Sequence, residues 1–468
     1  MRHLTTILLL LLAGSLYCPD AHAIRGRLEE RFGTGGMIVE PFDDEYAPGS
    51  EPSSTAIAVL RYPGSGQLLV VSQVYDITMN KPVKVGLARY FPDGELDTGF
   101  GDFNVPGLRL LDWNDPRQLH VSNALMQPDG RVLIVADVRH NNVWEDHAVC
   151  RITAAGTLDP SFGVGGCITL AGLLDPDWYY DDKLALDATG RIHVGAQYRM
   201  PDDSLSAAVV RLTADGQIDT SFGISGVSVV RPAGAESAVL ADLGVRPDGR
   251  IVIFGGVSVG MDDYRFFVTQ LLDDGNVDNA YGPNDGVHIL DYAAGNAISS
   301  DNSMLLLADG RTALFGRGDF PGVIRTGALM LSADGKTLDP TWGTGLNDGY
   351  DLGDNFHPRR ALQTPEGGFV LGGYTWIEDS QSHDPAMIAL DDMGGLDLRF
   401  GEKGRVQVEL DAVDGPTVGR DYGLAMTWSN DRVMLAGSQQ IDDNPNRNAS
   451  LLIAVEMHDV LFRDGLED

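Results

Sequence analysis

The stretch GQIDTSFG, residues 216–223, is one copy of a motif that returns about every sixty residues of this 468-residue chain. The motif reads glycine, any residue, an aliphatic residue, aspartate, two further residues, an aromatic residue and glycine; we call it the FG motif. Two copies vary, because residues 26–33 carry Glu29 in place of the aspartate and residues 335–343 are one residue longer. The spacings between the seven motif aromatics are 68, 62, 60, 59, 61 and 58 residues, and these aromatics are Phe32, Phe100, Phe162, Phe222, Tyr281, Trp342 and Phe400. Such a period predicts a solenoid, a propeller or a repeat array.

A second motif keeps the same period but is out of phase with the first. It is a short turn between two apolar runs, which we call the DG turn, and its copies are residues 64–66, 128–131, 189–191, 247–250, 308–311, 365–367 and 430–432. Asp-Gly between apolar runs predicts a β-hairpin, because glycine supplies the positive φ that two-residue primed turns need. The DG turn therefore also occurs seven times.

Each repeat contains four short apolar segments, which in the fourth repeat are residues 238–245, 251–257, 266–272 and 287–290. Their length, their β-branched and aromatic residues and the turns around them predict β-strands, and no amphipathic helix is recognisable. Seven repeats of four strands predict an all-β fold, a seven-bladed β-propeller with four antiparallel strands per blade. The alternative is a linear β-solenoid, which usually has shorter repeats and needs capping segments.

The two ends of the chain predict how the ring closes. One strand, residues 37–39, follows the first FG motif, and three strands end the chain at residues 422–427, 433–436 and 451–455. Together they would complete the last blade and remove two exposed sheet edges. We expect the innermost strand of each blade to be the one that precedes the DG turn, and the second strand to be the one that follows it. The third strand would precede the FG motif, and the fourth, outermost strand would follow that motif.

The N-terminus predicts export. Arg2 and His3 precede an apolar run, and residues 21–23 (AHA) form a small-residue cleavage site, so residues 1–23 are predicted to be a signal peptide cleaved near Ala23. Residues 24–460 would form the single propeller domain and residues 461–468 a C-terminal tail. Cys18 raises the alternative of a lipoprotein, which the bulky Tyr17 disfavours. We expect the protein to be secreted or periplasmic.

Two cysteines, Cys150 and Cys167, remain after cleavage and flank one FG motif. An even number of cysteines in an exported protein favours a disulfide. The predicted strand order places the two on neighbouring antiparallel strands, within reach of such a bond. The alternative is a pair of buried free thiols.

The composition is strongly acidic, with a net charge of −33 that signal-peptide cleavage leaves unchanged. This charge argues against nucleic acid and anionic membrane surfaces as partners, and it favours solubility and cations. No apolar run beyond the N-terminus has the length of a membrane span. We expect a monomer that binds an unknown protein or glycan.

Six FG motifs carry an aspartate, and these residues are Asp97, Asp159, Asp219, Asp278, Asp339 and Asp397. One acid per repeat offers too few ligands for calcium. We therefore interpret each aspartate as the acceptor of an Asx-type turn and each motif aromatic as a packing residue that pins the turn against its blade. The better calcium candidate is Asp348, Asp351 and Asp354, which alternate with glycines; the alternative is a solvated loop. No other cofactor is expected.

Aromatic residues also occur in predicted loops, at Trp113, Trp144 and Trp376 and in the run Trp178, Tyr179 and Tyr180. That run lies beside acidic residues and is the best candidate for stacking on a sugar or docking a protein. Packing at a blade edge is the alternative. No catalytic residues are predicted, since the one hydrolase-like motif, residues 256–260 (GVSVG), ends a predicted strand with no helix after it.

The two motifs together resemble the delta-60 repeat family of bacterial exported proteins. The resemblance rests on residues 214–223 (ADGQIDTSFG) and 246–253 (RPDGRIVI), and it extends over nearly the whole mature chain. It implies a β-propeller and brings no catalytic residues with it. Glu29 and the pair Asn430-Asp431 depart from the pattern, which suggests a looser last blade.

These observations favour an exported, non-enzymatic propeller that presents loops to a protein, a glycan or a surface component. The alternative is an exported propeller enzyme, a hydrolase or lyase acting on polysaccharide. A tight, desolvated cluster of titratable groups at one mouth of the channel would favour the enzyme, and a scattered one would favour the binding protein.

Overall fold

Every regular element of the described chain is a β-strand. The structure is a computed structural model, and it describes residues 26–40, 42, 51–76, 83–102, 105–111, 118–140, 143–175, 182–260, 263–290, 302–320, 323–343, 355–377, 382–410, 421–441 and 447–457. Outside these residues lie the predicted signal peptide and tail, together with Trp113, Trp178, Tyr179, Tyr180, Asp348, Asp351 and Asp354. The described part contains no helix with the length and apolar character of a membrane span.

The strands form the seven predicted blades. Strand β1 (Met37–Glu40) comes first in the chain, and blade 1 then contains β2 (Pro52–Arg61), β3 (Leu68–Asp76), β4 (Lys84–Tyr90) and β7 (Leu108–Leu111). The small hairpin of β5 (Gly101–Asp102) and β6 (Val105–Pro106) precedes β7. Blade 2 contains β8 (Gln118–Met126), β9 (Val132–His140), β10 (Val143–Ile152) and β11 (Cys167–Thr169). Blade 3 contains β12 (Lys183–Leu186), β13 (Ile192–Arg199), β14 (Leu205–Leu212) and β15 (Val227–Val230).

The later blades repeat this plan. Blade 4 contains β16 (Ser237–Val245), β17 (Ile251–Ser258), β18 (Tyr264–Leu271) and β19 (Val287–Leu290). In blade 5 the described strands are β20 (Asn302–Leu306), β21 (Thr312–Phe320) and β22 (Val323–Leu331), and residues 344–354, which follow its FG motif, are outside the description. Blade 6 contains β23 (Phe356–Gln363), β24 (Phe369–Ile377), β25 (Ser382–Leu390) and β26 (Arg405–Gln407). The last part of the chain supplies β27 (Tyr422–Ser429), β28 (Arg432–Gln440) and β29 (Asn448–Glu456).

The ring closes as the sequence predicts. Strand β1 is the fourth strand of blade 7, in the order β27, β28, β29, β1, and it pairs antiparallel with β29 from Met37 opposite Ile453. The first FG motif reinforces this pairing, because Glu29 N donates to Ala454 O at 3.0 Å. The seven-bladed, all-β propeller and its strand order are thus confirmed.

The first strands of the blades line the central channel, and each of them contacts the first strand of both neighbouring blades. Five of these strands carry a β-bulge, at Ile57, Ser122, Ala241, Arg359 and Leu424. A bulge leaves one residue unpaired and re-aims its side chain. The bulges therefore decide which residues face the channel.

The hydrophobic core is divided into seven clusters, one between each pair of adjacent blades. One cluster, for example, joins Val209 and Phe222 of blade 3 to Ile253 of blade 4. The cluster that joins blade 7 to blade 1 contains Met434 and Val70. Because burial of a Val, Leu, Ile or Phe side chain contributes roughly 1.5–3 kcal/mol, each blade depends on its neighbours for stability.

The DG turns differ from the two-residue primed turns that the sequence predicts. In residues 246–250, Gly249 N donates to Arg246 O at 2.9 Å and Arg246 N donates to Arg250 O at 2.7 Å, so the loop has three residues. Only Gly249 takes a positive φ, +86°, because Pro247 holds the first turn position at negative φ, which primed turns exclude. The looser geometry expected for the last blade is not observed. Strands β27 and β28 remain paired up to Ser429 and Arg432, on either side of the turn in which Asn430 has a φ of +59°.

Each FG-motif aspartate closes its own turn. Its Oδ1 accepts a hydrogen bond from the backbone N–H two residues further on, at 2.9–3.2 Å in the six copies. Three DG-turn arginines reach the same carboxylates: Arg131, Arg250 and Arg311 lie 3.1, 3.7 and 3.5 Å from the motif aspartates of their own blades. The two motifs share one period because they meet at one end of each blade.

The motif aromatics are all buried, but they pack against the next blade as well as their own. Each ring lies against the first glycine of the following FG motif, in the pairs Phe32–Gly94, Phe100–Gly156, Phe162–Gly216, Phe222–Gly275, Tyr281–Gly335, Trp342–Gly394 and Phe400–Gly26. A Cβ on Gly216, whose φ is +82°, would lie 2.7 Å from the Phe162 ring. Glycine is therefore required there both for the turn and for the neighbouring ring.

In blades 1–3 an arginine on the third strand adds a further link. Arg89, Arg151 and Arg211 each donate through Nε to the motif aspartate of their own blade, at 2.7–2.8 Å, and each guanidinium lies 4.5–4.6 Å over the motif aromatic. The same side chains donate to a backbone carbonyl of the next blade, as Arg151 does to Ala214 O at 2.7 Å. Backbone pairing with the motif identifies Gln270, Met330, Ala389 and Ala454 as the equivalent residues in blades 4–7.

Cys150 and Cys167 are opposite one another on β10 and β11, with their Cα atoms 4.0 Å apart, and a disulfide joins them. The bond therefore ties the third strand of blade 2 to its outermost strand, the arrangement that the predicted strand order requires.

Candidate functional site

The FG motifs and DG turns all lie on one face of the propeller, which we call the lower face. On the opposite, upper face the second strand of each blade ends and the third begins. The aspartates and aromatics singled out in the FG motif are occupied by the turn and packing contacts described above. A ligand site is therefore to be sought on the upper face.

The upper ends of blades 6 and 7 bring together five partly exposed rings, His357, Tyr374, Trp376, His383 and Tyr422, which we call the aromatic–histidine cluster. His357 stacks on Tyr374 with ring centroids 4.5 Å apart, and Tyr374 meets Tyr422 edge-on at 4.9 Å. His383 lies 4.7 Å from Trp376 and 4.9 Å from Tyr422. The rings form one continuous surface across two blades.

Strand geometry explains why these rings meet. Tyr374 and Trp376 are two residues apart on β24, so both point to the same side of the sheet. Their cross-strand partners are His357 on β23 and His383 on β25. Tyr422 begins β27 in the next blade, and the contact between blades brings its ring onto Tyr374. The cluster is thus held by paired strands, which position side chains more rigidly than loops do.

Two buried carboxyl groups lie behind the cluster. Asp384 accepts a hydrogen bond from Gln407 Nε2 at 2.8 Å, and Asp421 accepts one from Gln440 N at 2.7 Å. Burial raises the pKa of Asp421 to about 7; the Gln440 N–H opposes the rise and the nearby Asp384 carboxylate adds to it. Asp421 can therefore exchange a proton near neutral pH.

A small pocket, which we call the channel pocket, lies among the first strands of the blades. Its lining residues come from the first strands of five blades and are Ile57, Val121, Ser122, Lys183, Arg359, Arg360 and Leu424. Among the lining residues that the structure describes, every charged one is a cation. Arg359 follows His357 by two residues on β23, and Leu424 follows Tyr422 by two on β27. The pocket therefore lies about 7 Å along the strands from the cluster.

A second titratable group is buried between blades 2 and 3. His147 on β10 lies with its Nδ1 2.7 Å from Asp182 and 3.1 Å from Asp137, while its Nε2 donates to Asp175 O at 2.7 Å. Burial alone would lower the pKa of His147, but the carboxylates of Asp182 and Asp137 raise it well above its usual value. The result is an imidazolium held between two carboxylates.

These three side chains are also the one group in the described chain whose ligand atoms lie close enough to hold a metal ion, within 4.8 Å of one another. A separation of 2.7 Å between Nδ1 and the Asp182 oxygen is that of a charge-assisted hydrogen bond. We therefore interpret the group as an ion pair that links two blades. The calcium prediction for Asp348, Asp351 and Asp354 falls outside the described residues and stays a prediction.

Sequence reasoning missed most of the aromatic–histidine cluster. It noted Trp376 among the loop aromatics, but the structure places this residue near the end of β24. The other four residues carry no motif and come from four different strands. The alternation of Tyr374 with Trp376 was the one signal that could have found the surface.

The comparisons with known proteins agree with the fold. A family model described as a domain of unknown function (DUF5122) β-propeller matches residues 64–100, 127–162 and 188–222, which fall in blades 1, 2 and 3. No curated protein matches the sequence.

Solved structures with a similar arrangement include a protein of unknown function from Dyadobacter fermentans, at 11% identity over 90% of this chain and 98% of that one, with a TM-score of 0.46. A polysaccharide lyase is similar at 10% identity over 86% and 90% of the two chains, with a TM-score of 0.48. A Hadza microbial sialidase is similar at 12% identity over 83% and 73%, with a TM-score of 0.43. Similarity this weak carries no argument about function. The matched repeats and the closed ring of seven blades identify the chain as a β-propeller repeat protein.

Proposed function

We propose that this protein is an exported glycan-binding β-propeller whose binding surface is the aromatic–histidine cluster at the upper mouth of the channel. The observation that carries the proposal is the continuous, partly exposed surface of Tyr374, Trp376 and Tyr422 with two histidines. Aromatic rings with a polar atom at the edge suit a ligand that is apolar on its faces and hydroxylated at its rim. A sugar ring has this character.

The rest of the molecule supports this assignment. On the lower face the same contact between a motif aromatic and the next motif's glycine recurs around the ring, so these aromatics are buried between blades. The rings of the cluster lie outside both repeat motifs, so none of them is used in the contacts that link the lower ends of the blades. Their placement on strand ends gives a preorganised surface, which lowers the entropic cost of binding.

The proposal is tested by titrating the mature protein with a panel of neutral and acidic oligosaccharides in a calorimeter. Tyr374→Ala and Tyr422→Ala should each weaken binding at least tenfold, by loss of a stacking ring. Trp144→Ala is the matched control, because Trp144 is also a partly buried aromatic near the upper face but lies in blade 2. Binding that survives both tyrosine substitutions, or that Trp144→Ala abolishes equally, would contradict the proposal.

A polysaccharide hydrolase or lyase at the same surface is a second candidate. It is favoured by the two histidines beside Asp421, since a pKa near 7 suits general acid–base chemistry. The test is to incubate the protein with acidic and neutral polysaccharides and to measure the release of reducing ends or of unsaturated sugars. Product formation by the wild type that the His383→Gln variant no longer shows would establish this activity. Stoichiometric binding of a glycan without any product would rule out the enzyme and support only the binding function.

A further inference from the structure

We infer that the glycan carries an anionic group, a carboxylate or a sulfate, and that the channel pocket receives it. The inference rests on the proposed function, because it treats the aromatic–histidine cluster and the channel pocket as two parts of one site. It adds the class of ligand, an acidic oligosaccharide.

The charge of the pocket is opposite to that of the protein. The chain has 67 acidic and 34 basic residues, yet the charged residues that line the pocket in the described part of the chain are Lys183, Arg359 and Arg360. Blades on both sides of the channel contribute, because Lys183 begins the first strand of blade 3 and the two arginines belong to the first strand of blade 6. In a low-dielectric channel such cations attract an anion more strongly than they would in open water.

The backbone is arranged to aim both arginines at this pocket. In a regular strand, successive side chains point to opposite faces, so Arg359 and Arg360 could not both line one cavity. The β-bulge between Pro358 and Arg360 breaks this alternation. The same device operates across the channel, where the bulge between Val121 and Asn123 lets Val121 and Ser122 line the same pocket.

The distance between the two parts of the site fits a sugar. Arg359 lies two residues from His357, and Leu424 two residues from Tyr422, so the pocket begins about 7 Å from the stacked rings. A pyranose ring resting on the cluster can therefore direct a charged substituent, or the next sugar unit, toward the arginines. Guanidinium groups pair with planar carboxylates and with sulfate oxygens through two parallel hydrogen bonds.

The experiment compares charged and uncharged forms of the same ligand. Uronate oligosaccharides would be titrated beside their carboxyl-reduced counterparts, and sulfated oligosaccharides beside desulfated ones, at low and at physiological salt. We expect each charged form to bind at least tenfold more tightly than its neutral counterpart. The pair that shows the larger difference in affinity between its charged and neutral forms identifies the anionic group as a carboxylate or a sulfate.

The variants separate the two parts of the site. Arg360→Gln and Arg359→Gln should each reduce binding of the charged form at least tenfold and leave the neutral form unchanged, whereas Tyr374→Ala should weaken both forms. Arg399→Gln removes one positive charge from an exposed residue of the lower face and should change neither. Arg359→Lys retains the charge and should restore part of the affinity, which distinguishes lost pairing from lost folding.

The outcomes distinguish failure of the acidic ligand class from failure of the proposed function. Equal binding of charged and neutral forms, unaffected by the arginine substitutions, overturns the acidic class and leaves the glycan-binding function standing. Binding of inorganic sulfate that depends on Arg359 and Arg360, with no glycan bound at all, overturns the proposed function and keeps the anion pocket. Absence of both sulfate and glycan binding overturns both claims.

Discussion

The two faces of the propeller differ in how far their side-chain contacts repeat from blade to blade. On the lower face seven copies of one arrangement link the blades, each with a buried ring seated on the next repeat's glycine. On the upper face the described parts of the blades differ, and the aromatic–histidine cluster lies on blades 6 and 7. The repeated residues link the blades, and the proposed binding surface is built from residues outside the two repeat motifs.

The contacts of the lower face are not identical in all blades. Blades 1–3 add the arginine that joins its own motif aspartate to the next blade, and blades 5–7 have Met330, Ala389 and Ala454 at that place. The segments matched by the propeller family model fall in the three blades with the arginine. Blades 6 and 7, which carry the aromatic–histidine cluster, both have alanine in place of this arginine.

The largest expected effect comes from removing a ring of the lower face. Phe222→Ala should lower the free energy of unfolding by about 3–5 kcal/mol, because it leaves a cavity between blades 3 and 4. Urea denaturation followed by fluorescence measures the loss. Tyr374→Ala on the upper face should cost less, about 1–2 kcal/mol, because its ring is only partly buried. Equal losses for the two variants would contradict the distinction between the faces.

Removal of the disulfide should rank second. Cys150 and Cys167 are 17 residues apart, and closing a loop of that size stabilises a protein by roughly 3 kcal/mol. The double variant Cys150→Ala/Cys167→Ala should therefore unfold at lower urea concentration while binding the same ligands. Unchanged stability of this variant would show that the bond does not constrain the unfolded chain.

Replacing the lower-face arginine should have a smaller effect. Arg151→Met, which copies Met330 of blade 5, should cost about 2 kcal/mol by leaving Asp159 with fewer partners. Burial opposes the shift, but hydrogen bonds from Ser161 and Arg131 hold the pKa of Asp159 below its usual range.

The stability linked to Asp159 is present above its unfolded pKa near 3.8 and is lost as the pH falls toward the folded value. The difference between wild type and Arg151→Met should therefore shrink in acid. A difference in thermal midpoint that stays constant from pH 7 down to about pH 1.5 would argue against this ion pair.

The smallest expected effect concerns Asp421 on the upper face. Because its folded pKa is raised to about 7, the protonated form is favoured in the folded state, and stability falls as the pH rises from about 4 to 7. Asp421→Asn should remove this dependence, gaining about 1–2 kcal/mol at pH 8 and little at pH 4. Thermal unfolding at the two pH values is the measurement, and parallel pH profiles for the two proteins would contradict the assignment.

The number of blades, the order of their strands and the closure of the ring can all be predicted from the amino-acid sequence. These features follow from local patterns, since turn residues and apolar runs of fixed length recur seven times and need no distant partner to be recognised. The turn type was wrong because Pro247 constrains φ at a position that the Asp-Gly pair alone does not reveal. The packing of each ring against the next blade was also hidden, because it joins residues about sixty positions apart.

The candidate site, in contrast, can be recognised only in the folded chain. His357, Tyr374, His383 and Tyr422 come from four strands of two blades, and no local pattern relates them. The two arginines face one pocket only because a bulge interrupts the alternation of β23, and Lys183 faces them only because the ring brings blade 3 across the channel from blade 6. Repeats specify their own geometry through short-range patterns, whereas a site built between repeats exists only once the ring has closed.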